Sequence, residues 1–418
     1  MHKIYTLLFL LCVQVVVAQA TLKTMVYNLL EFPSAPPVNR ELILKDIFAS
    51  YLPDLFMVNE LQNEVGANLI LNQSLLPLDA NYARSTFAPN QSSSFQDLNQ
   101  MVFFNTEKLI LEDEELFETT VRDINHFTFK LNTLNQATNP VFLHVYVTHL
   151  KADAGADTTD DQQIRLDMVN VFTNQLNNLP PNSFVLFAGD LNLKTASEAA
   201  YQELLDPTNA IVLVDPINRP GDWSNSQTFA DIHTQSTRTS TANFGGRGSG
   251  GGLDDRFDFI LMSQNLQTST TLNYIDGSYK AFGNNGNCRN LNINDVNCTG
   301  DFSQPLRDLL FNMSDHLPVI ADFQINEPLL SITEVAAKPL LRFPSGNVVS
   351  NALEIALDVT QLQGNEWLMV YNTVGQVIQQ VNVGLQRQLQ LETTSLSKGL
   401  YFIKLQGHSN QTWKFIKK

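Results

Sequence analysis

The chain has 418 residues, 26 of them Lys or Arg and 42 Asp or Glu, for a net charge of −16 at pH 7. That balance excludes broad electrostatic binding to nucleic acid or to an anionic membrane, both of which recruit positive surface. It leaves room for an acidic enzyme that meets a polyanion only at its active site, where a metal would supply the positive charge, and the length suffices for two domains with good cores.

Taken in chain order, residues 1–20 read as an export signal: His2 and Lys3 form the charged start, IYTLLFLLCVQVVV the apolar run and AQA the cleavage site. Nothing later approaches the roughly 18 consecutive apolar residues needed to cross a bilayer, so an exported protein without a transmembrane segment is expected. Cys12 leaves with the signal, and Cys288 and Cys298 then remain in GNCRNLNINDVNCTG. In an oxidising compartment these two are expected to pair.

From residue 21 to about 326, short apolar strands alternate with helix-like stretches. Strands are expected at TMVYNLL, DLFMVNEL, QMVFFN, VFLHVYVTHL, SFVLFAGDLN, RFDFILMS and LPVIADFQI, and helices at NRELILKDIFASYL and DQQIRLDMVNVFTNQL. The ordering favours an α/β domain with sheets inside and helices outside, while GGRGSGGG at 245–252 reads as a flexible loop. The stretch 327–340 reads as a linker. From Ser331 onward eight Lys or Arg face five Asp or Glu, a net of +3, so the acid lies in the first part. LEIALDV, WLMVYNTVGQVIQQV with a turn at Gly375, GLYFIKLQ and TWKFIKK make residues 341–418 an all-β module, expected as a small sandwich.

The strands of the first part repeatedly end on polar groups: Asn28, Glu60, His149, Asp190 with Asn192, Asp258, and Asp315 with His316 just before LPVI. Strand ends of adjacent strands converge on one rim, so these groups can form one site. Glu60, Asp190, Asn192 and Asp315 offer hard oxygen ligands, suited to Mg²⁺, Mn²⁺ or Ca²⁺, and no Cys or His cluster at zinc spacing accompanies them. His144 and His149 lie five apart and face opposite sides of a strand; His149 is assigned to the rim and His144 to packing or solvent. Carboxylates, one hard cation and two imidazoles suit attack of water on phosphate. Serine chemistry fits poorly, since neither a G-x-S-x-G elbow nor a P-loop is present.

YNLLEF, VNELQN, VTHLKA, FAGDLNL, RFDFIL and MSDHLPV, in that order, resemble the metal-dependent endonuclease/exonuclease/phosphatase superfamily, to which pancreatic-type deoxyribonuclease belongs, over nearly all of residues 21–325. The resemblance implies a four-layer sandwich of two mixed β-sheets flanked by helices. It implies Glu60 as chief metal ligand with Asn28 and Asp315 nearby, Asp190 and Asn192 positioning or activating water, His149 binding the scissile phosphate, and His316 acting with Asp258. Whether Asp190 or the His316/Asp258 pair is the base stays open. Two departures stand out: deoxyribonuclease-like members place a glutamate before the QMVFF strand to orient the first histidine, where this chain has Asp97, Asn99 and Gln100, and DDRFDF offers Asp255 as a rival to Asp258. Asn99, Arg247 and the loop HTQSTRT (233–239) are candidate donors to substrate phosphates.

VSNALEIAL, VYNTVGQVI, LSKGLYFIKL and the final KFIKK resemble the C-terminal sorting domain of the type IX secretion system in Bacteroidetes. That resemblance implies a translocation tag, the secretion machinery as partner, and a secreted or surface location; a carbohydrate- or adhesion-type β module is the other reading of the same composition. The function expected is that of a secreted, monomeric, metal-dependent phosphodiester hydrolase, foremost a nuclease. The alternatives are a phospholipid, sphingomyelin or inositol-phosphate hydrolase on the same scaffold and a non-catalytic surface-binding protein.

Overall fold

The computed structural model describes residues 19–92, 98–153, 159–330, 340–344, 346–357, 359, 362, 364, 366–406 and 412–418. All but the last two residues of the expected leader, most of the expected linker, and Asp97 lie outside the described residues. The chain divides into two compact units, Met1–Ser331 and Ile332–Lys418.

The first unit runs β1 (Ala20–Phe32), α1 (Arg40–Phe48), β2 (Leu55–Leu61), α2 (Glu64–Leu69), β3 (Tyr82–Arg84), β4 (Asn99–Asn105), β5 (Leu109–Phe117), β6 (Ile124–Leu131) and β7 (Phe142–His149). It continues with α3 (Thr159–Gln175), β8 (Phe184–Asp190), α4 (Ala199–Leu204), β9 (Leu213–Val214), β10 (Asp258–Ser263), β11 (Leu272–Tyr274), β12 (Lys280–Ala281), α5 (Gln304–Met313) and β13 (Val319–Ile325). One sheet has the order β11-β13-β1-β2-β4-β3, with β12 also on β13; the other has the order β5-β6-β7-β8-β10-β9. Each is mixed, because β1 and β2 run parallel in the first and β7 and β8 in the second while their neighbours are antiparallel.

The layering follows from strand periodicity. Successive side chains of a strand point to opposite faces, and in β1 Met25, Tyr27 and Leu29 pack with Leu44, Ile47 and Phe48 of α1 and Leu306, Leu310 and Met313 of α5. Leu22 and Val26 of the same strand face the other way, onto Val145 and Val147 of β7 and Leu186 and Ala188 of β8. The second sheet turns Tyr146, Val185 and Phe187 outward under Met168, Val169 and Phe172 of α3. Helix, sheet, sheet and helix thus form four layers, and strands buried on both faces read as near-continuous apolar runs.

Several short elements (α2, α4, β3, β9, β11 and β12) are not anticipated by the sequence pattern, nor, among the longer ones, are the strand pair β5 and β6 and the helix α5. β5 is LILEDEELF, whose acidic centre is exposed at the sheet edge, so it lacks an apolar alternation. In α5, Leu306, Leu310 and Met313 follow helical spacing and Pro305 stands in its first turn, so residues 311–313 close a helix rather than lead into a strand. Cys288 and Cys298 are joined in a buried disulfide, in the segment between β12 and α5.

The second unit comprises β14 (Leu341–Arg342), β15 (Val348–Val349), β16 (Ala352–Leu357), β17 (Trp367–Tyr371), β18 (Val377–Asn382), β19 (Gln388–Glu392), β20 (Gly399–Leu405) and β21 (Trp413–Lys417). They form sheets β14-β16-β19 and β15-β21-β20-β17-β18 around Leu353, Ile355, Leu368, Val370, Ile403 and Phe415. Gly375, at φ 81°, supplies the left-handed turn between β17 and β18.

Candidate active site

The site lies where one end of each sheet meets the other, so its groups come from two sheets rather than from one. In the second sheet His149 of β7 pairs with Asp190 of β8, and Asp190 with Asp258 of β10, one transverse row of three polar groups. In the first, Asn28 of β1 pairs with Asn59 of β2. Asn59, fully buried, joins the two: its Nδ2 donates to Thr148 O at 2.8 Å and its Oδ1 accepts from Asp190 N at 3.2 Å. The close approach of β7 and β8 needs Gly189, since a Cβ there would stand 1.8 Å from Thr148 O.

Local backbone strain aims the ligands. Glu60 (φ 59°) and Asn192 (φ 51°) hold left-handed conformations, as do Leu30 (φ 48°) and Glu31 (φ 44°), a costly state for residues with side chains that clusters at functional sites. The β1–β2 and β2–β4 registers slip at the same place, between Asn28 and Phe32 and between Val58 and Leu61. The bulge lifts Glu60 out of the pleat and turns its carboxylate to the rim.

Glu60, His149 and Asp190 present ligand atoms that all lie within 4.8 Å of one another, and together they could hold a metal ion. His149 Nε2 stands 3.3 Å from Asp190 Oδ2, while its buried Nδ1 has no hydrogen-bond partner among the described residues. Burial, with the charges of Arg122 and His316, pushes the His149 imidazole well below its ordinary value, so it is neutral and has a lone pair to offer. Burial likewise raises Glu60, and the charge of Asp315 adds to this. Two carboxylates that supply hard oxygen ligands and a neutral imidazole with a free lone pair thus converge on one point, and this donor set fits a divalent ion. Asn28 Nδ2 donates to Glu60 Oε1 and Asp190 Oδ2, both at 3.0 Å, while its Oδ1 accepts from Leu30 N. Asp315 Oδ2 accepts from Ser249 N at 2.6 Å. Of the three residues expected as ligands, Glu60 stands in this cluster, Asn28 bridges its carboxylates and Asp315 is bound to the glycine-rich loop.

Beside the cluster stands the histidine next to Asp315. His316 Nδ1 is 2.7 Å from Asp258 Oδ2, and Nε2 is 3.6 Å from Asp190 Oδ2. Burial opposes the charged imidazole, but Asp258 and Asp190 outweigh it and hold His316 well above its ordinary value. Asp190 is pushed up to about 7, by burial and by the charges of Asp258 and Glu60 against the pull of His316. Asp258, and not its rival Asp255, carries the bond to His316. Asn192 N donates to Asp190 Oδ1 and its Nδ2 to Leu150 O, both at 3.2 Å.

Glu60, His149, Asp190, Asn192, Asp315 and His316 line a cavity of about 370 Å³ that also takes in Glu31, Asp153, Lys194, Gln235 and Phe257. A wider groove of about 520 Å³ along β5 is walled by acidic residues 112–115 and contains no histidine, and is not this site. Arg247 reaches the rim from the glycine-rich loop and pairs with Glu31, whose own N donates to Glu60 Oε2 at 3.0 Å. That loop is seated on the site: Gly248, at φ 73°, passes so close that a Cβ would stand 2.7 Å from Asp315 Oδ2. Asn99 is buried, with Nδ2 donating to Leu61 O at 2.8 Å and Oδ1 accepting from Asn90 N at 2.7 Å.

Three participants carry no signal strong enough to be found in the sequence. Asn59 sits beside Glu60 and is overshadowed by it. Arg122, in the turn before β6, donates from Nη1 to His149 O and Leu150 O and lies within electrostatic reach of Glu60 and Asp190, and no motif marks it. Gln235 stands at His316, and the sequence singles out only the loop around it.

No curated protein matches the chain. Among solved structures, the human Nocturnin catalytic domain is similar at 17% identity and a TM-score of 0.44, covering 73% of this chain and 97% of its own. D. rerio TDP2 complexed with single strand DNA product is similar at 16% identity and a TM-score of 0.46, covering 73% and 99%. An endonuclease/exonuclease/phosphatase from Beutenbergia cavernae is similar at 14% identity and a TM-score of 0.43, covering 95% and 99%. Residues 347–418 match the family described as the secretion system C-terminal sorting domain, which marks this chain for export to the medium or the cell surface.

Proposed function

We propose that the first unit is a metal-dependent phosphoric ester hydrolase acting on phosphodiesters outside the cell, foremost nucleic acid. The observation that carries this reading is the juxtaposition of His316, held by Asp258, with the Glu60, His149 and Asp190 cluster in one cavity. A divalent ion, Mg²⁺ or Mn²⁺, held by that cluster would supply positive charge beside a phosphoryl group. His316, kept protonated by Asp258, offers Nε2–H to a phosphoryl or leaving-group oxygen. Asp190, the member of the cluster that faces that donor, is assigned to orienting water and taking its proton, with Asn192 N donating to its other oxygen. Asn28 holds the Glu60 and Asp190 carboxylates at a set separation, and Arg122 fixes the backbone of His149 and Leu150 from behind.

The acidic balance of the chain agrees with a substrate engaged at the site alone. The second unit serves export, through the type IX machinery. Incubating the full chain with plasmid DNA, RNA, sphingomyelin, inositol phosphates and bis(4-nitrophenyl) phosphate, with Mg²⁺ or Mn²⁺, tests the proposal. Cleavage of DNA or RNA that stops in excess EDTA is expected, and undiminished cleavage in EDTA would overturn the metal dependence. Cleavage of sphingomyelin alone would move the substrate class to lipid.

A further inference from the structure

The segment from Thr234 to Thr237 lies like an added strand between two site-bearing stretches. On one side Gln235 N donates to Asp255 O at 3.0 Å, and Gln235 O accepts from Asp254 N at 2.9 Å and Asp255 N at 2.8 Å. On the other, Leu317 N donates to Thr234 O at 2.7 Å and Thr237 N to Asp315 O at 2.9 Å. Backbone held on both edges gives the Gln235 side chain a defined direction, and that direction is into the cavity. Its Nε2 stands 2.6 Å from His316 Nε2 and 3.4 Å from Asp315 Oδ2.

The position matters because of what His316 has left to offer. Its Nδ1 is taken by Asp258, so Nε2 is the one ring atom that can meet a substrate. A phosphoryl oxygen that reaches Nε2 therefore comes within hydrogen-bond distance of the carboxamide that now occupies it. A carboxamide can serve either protonation state of its neighbour, donating N–H to a neutral imidazole or accepting N–H from a charged one. Once phosphate takes Nε2, the amide N–H groups are free to donate to a non-bridging oxygen. A neutral donor also suits the singly charged phosphate of a diester among six carboxylates that line the cavity.

We propose that Gln235 is a substrate-contacting residue whose carboxamide donates to a non-bridging oxygen of the phosphodiester alongside His316. The proposal rests on the phosphoester reading of this site. It assigns to one side chain what the surrounding loop suggested only in general, and it requires no change in the backbone.

The test uses the full chain with bis(4-nitrophenyl) phosphate and Mn²⁺, comparing wild type with Gln235→Ala, Gln235→Met and Gln235→Glu, together with calorimetric titration of dimethyl phosphate. Loss of a hydrogen bond to a charged group lowers kcat/KM by about 10- to 100-fold in the first two variants. Gln235→Met keeps the volume, so equal loss in Met and Ala separates the bond from packing. Gln235→Glu is expected to lose more than Gln235→Ala, because its carboxylate repels the phosphate, while a purely structural residue shows no such order. Wild-type kcat/KM in Gln235→Ala, or an active Gln235→Glu, overturns the proposal while the phosphoester reading stands. If the wild type cleaves no phosphodiester, that reading fails by itself and the titration decides on Gln235: weaker dimethyl phosphate binding in Gln235→Met supports the contact, and unchanged or absent binding in all forms overturns it.

Discussion

Removing His316 or Asp258 should have unequal consequences for stability and the same consequence for turnover. The two are joined at 2.7 Å, His316 is 2% and Asp258 0% exposed, and Asp258 Oδ1 has no other partner among the described residues. His316→Ala therefore strands a buried carboxylate, which costs about 3–5 kcal/mol. Asp258→Asn leaves a neutral amide that still accepts from the ring, and it costs about 1–2 kcal/mol. The double variant, which has no stranded charge, should be more stable than His316→Ala alone. The pH dependence has a definite sign. His316 is held above its unfolded value, so its stabilising effect is fully present below about pH 6.5 and is lost as pH rises through its native value. The deficit of His316→Ala should accordingly be greatest in urea melts near pH 6 and smaller near pH 9. Turnover of bis(4-nitrophenyl) phosphate should fall by about 10² or more in each single variant, and the double should lose scarcely more, because the pair acts as one unit. Additive small losses in turnover, or a double variant less stable than His316→Ala, would refute the pairing.

Two further outcomes are expected from the same structure. Gly189→Ala should destabilise the first unit by more than about 3 kcal/mol in urea, because its Cβ would overlap Thr148 O at a φ of 148°, and retention of wild-type stability would show that β7 and β8 can separate there. His144, 9% exposed and bonded through Nδ1 to His126 Nε2 at 3.1 Å, is lowered to about 4 by burial and by the charge of His126. The unfolded chain therefore binds a proton first, and about 3 kcal/mol of stability should be lost as pH falls from about 6.5 to 4. His144→Gln should flatten that slope, and an unchanged slope would place the acid sensitivity elsewhere.

Much of this protein can be read from its residues without coordinates. Strand positions are legible because central strands buried on both faces need continuous apolar runs, and polar groups interrupting such runs at their ends stand out: Asn28, Glu60, His149, Asp190, Asp258 and His316. The alternating order of elements in the first unit, and the change of charge and pattern near Glu327, carry the layered architecture and the separate β module, since both depend on local periodicity and composition. The edge strand β5 is illegible because an exposed strand has no obligation to alternate. The end of α5 is hidden because its last residues run straight into MSDHLPV, whose apolar half reads as the start of β13.

Features that depend on contacts between distant segments are settled only by the fold. Asn59 joins two sheets across residues 59, 148 and 190, and Arg122 reaches back to 149 and 150. Nothing in the local sequence distinguishes these side chains from ordinary polar caps. The choice between Asp255 and Asp258 is decided by which carboxylate β10 carries to His316, and Gln235 acquires its place because strand-like pairing on both sides sets its direction. A residue's chemistry is a property of its type and can be seen in the sequence, whereas its partner is a property of the closed chain, because only folding brings polar groups 58 or 162 positions apart within bonding distance in a medium where they act strongly.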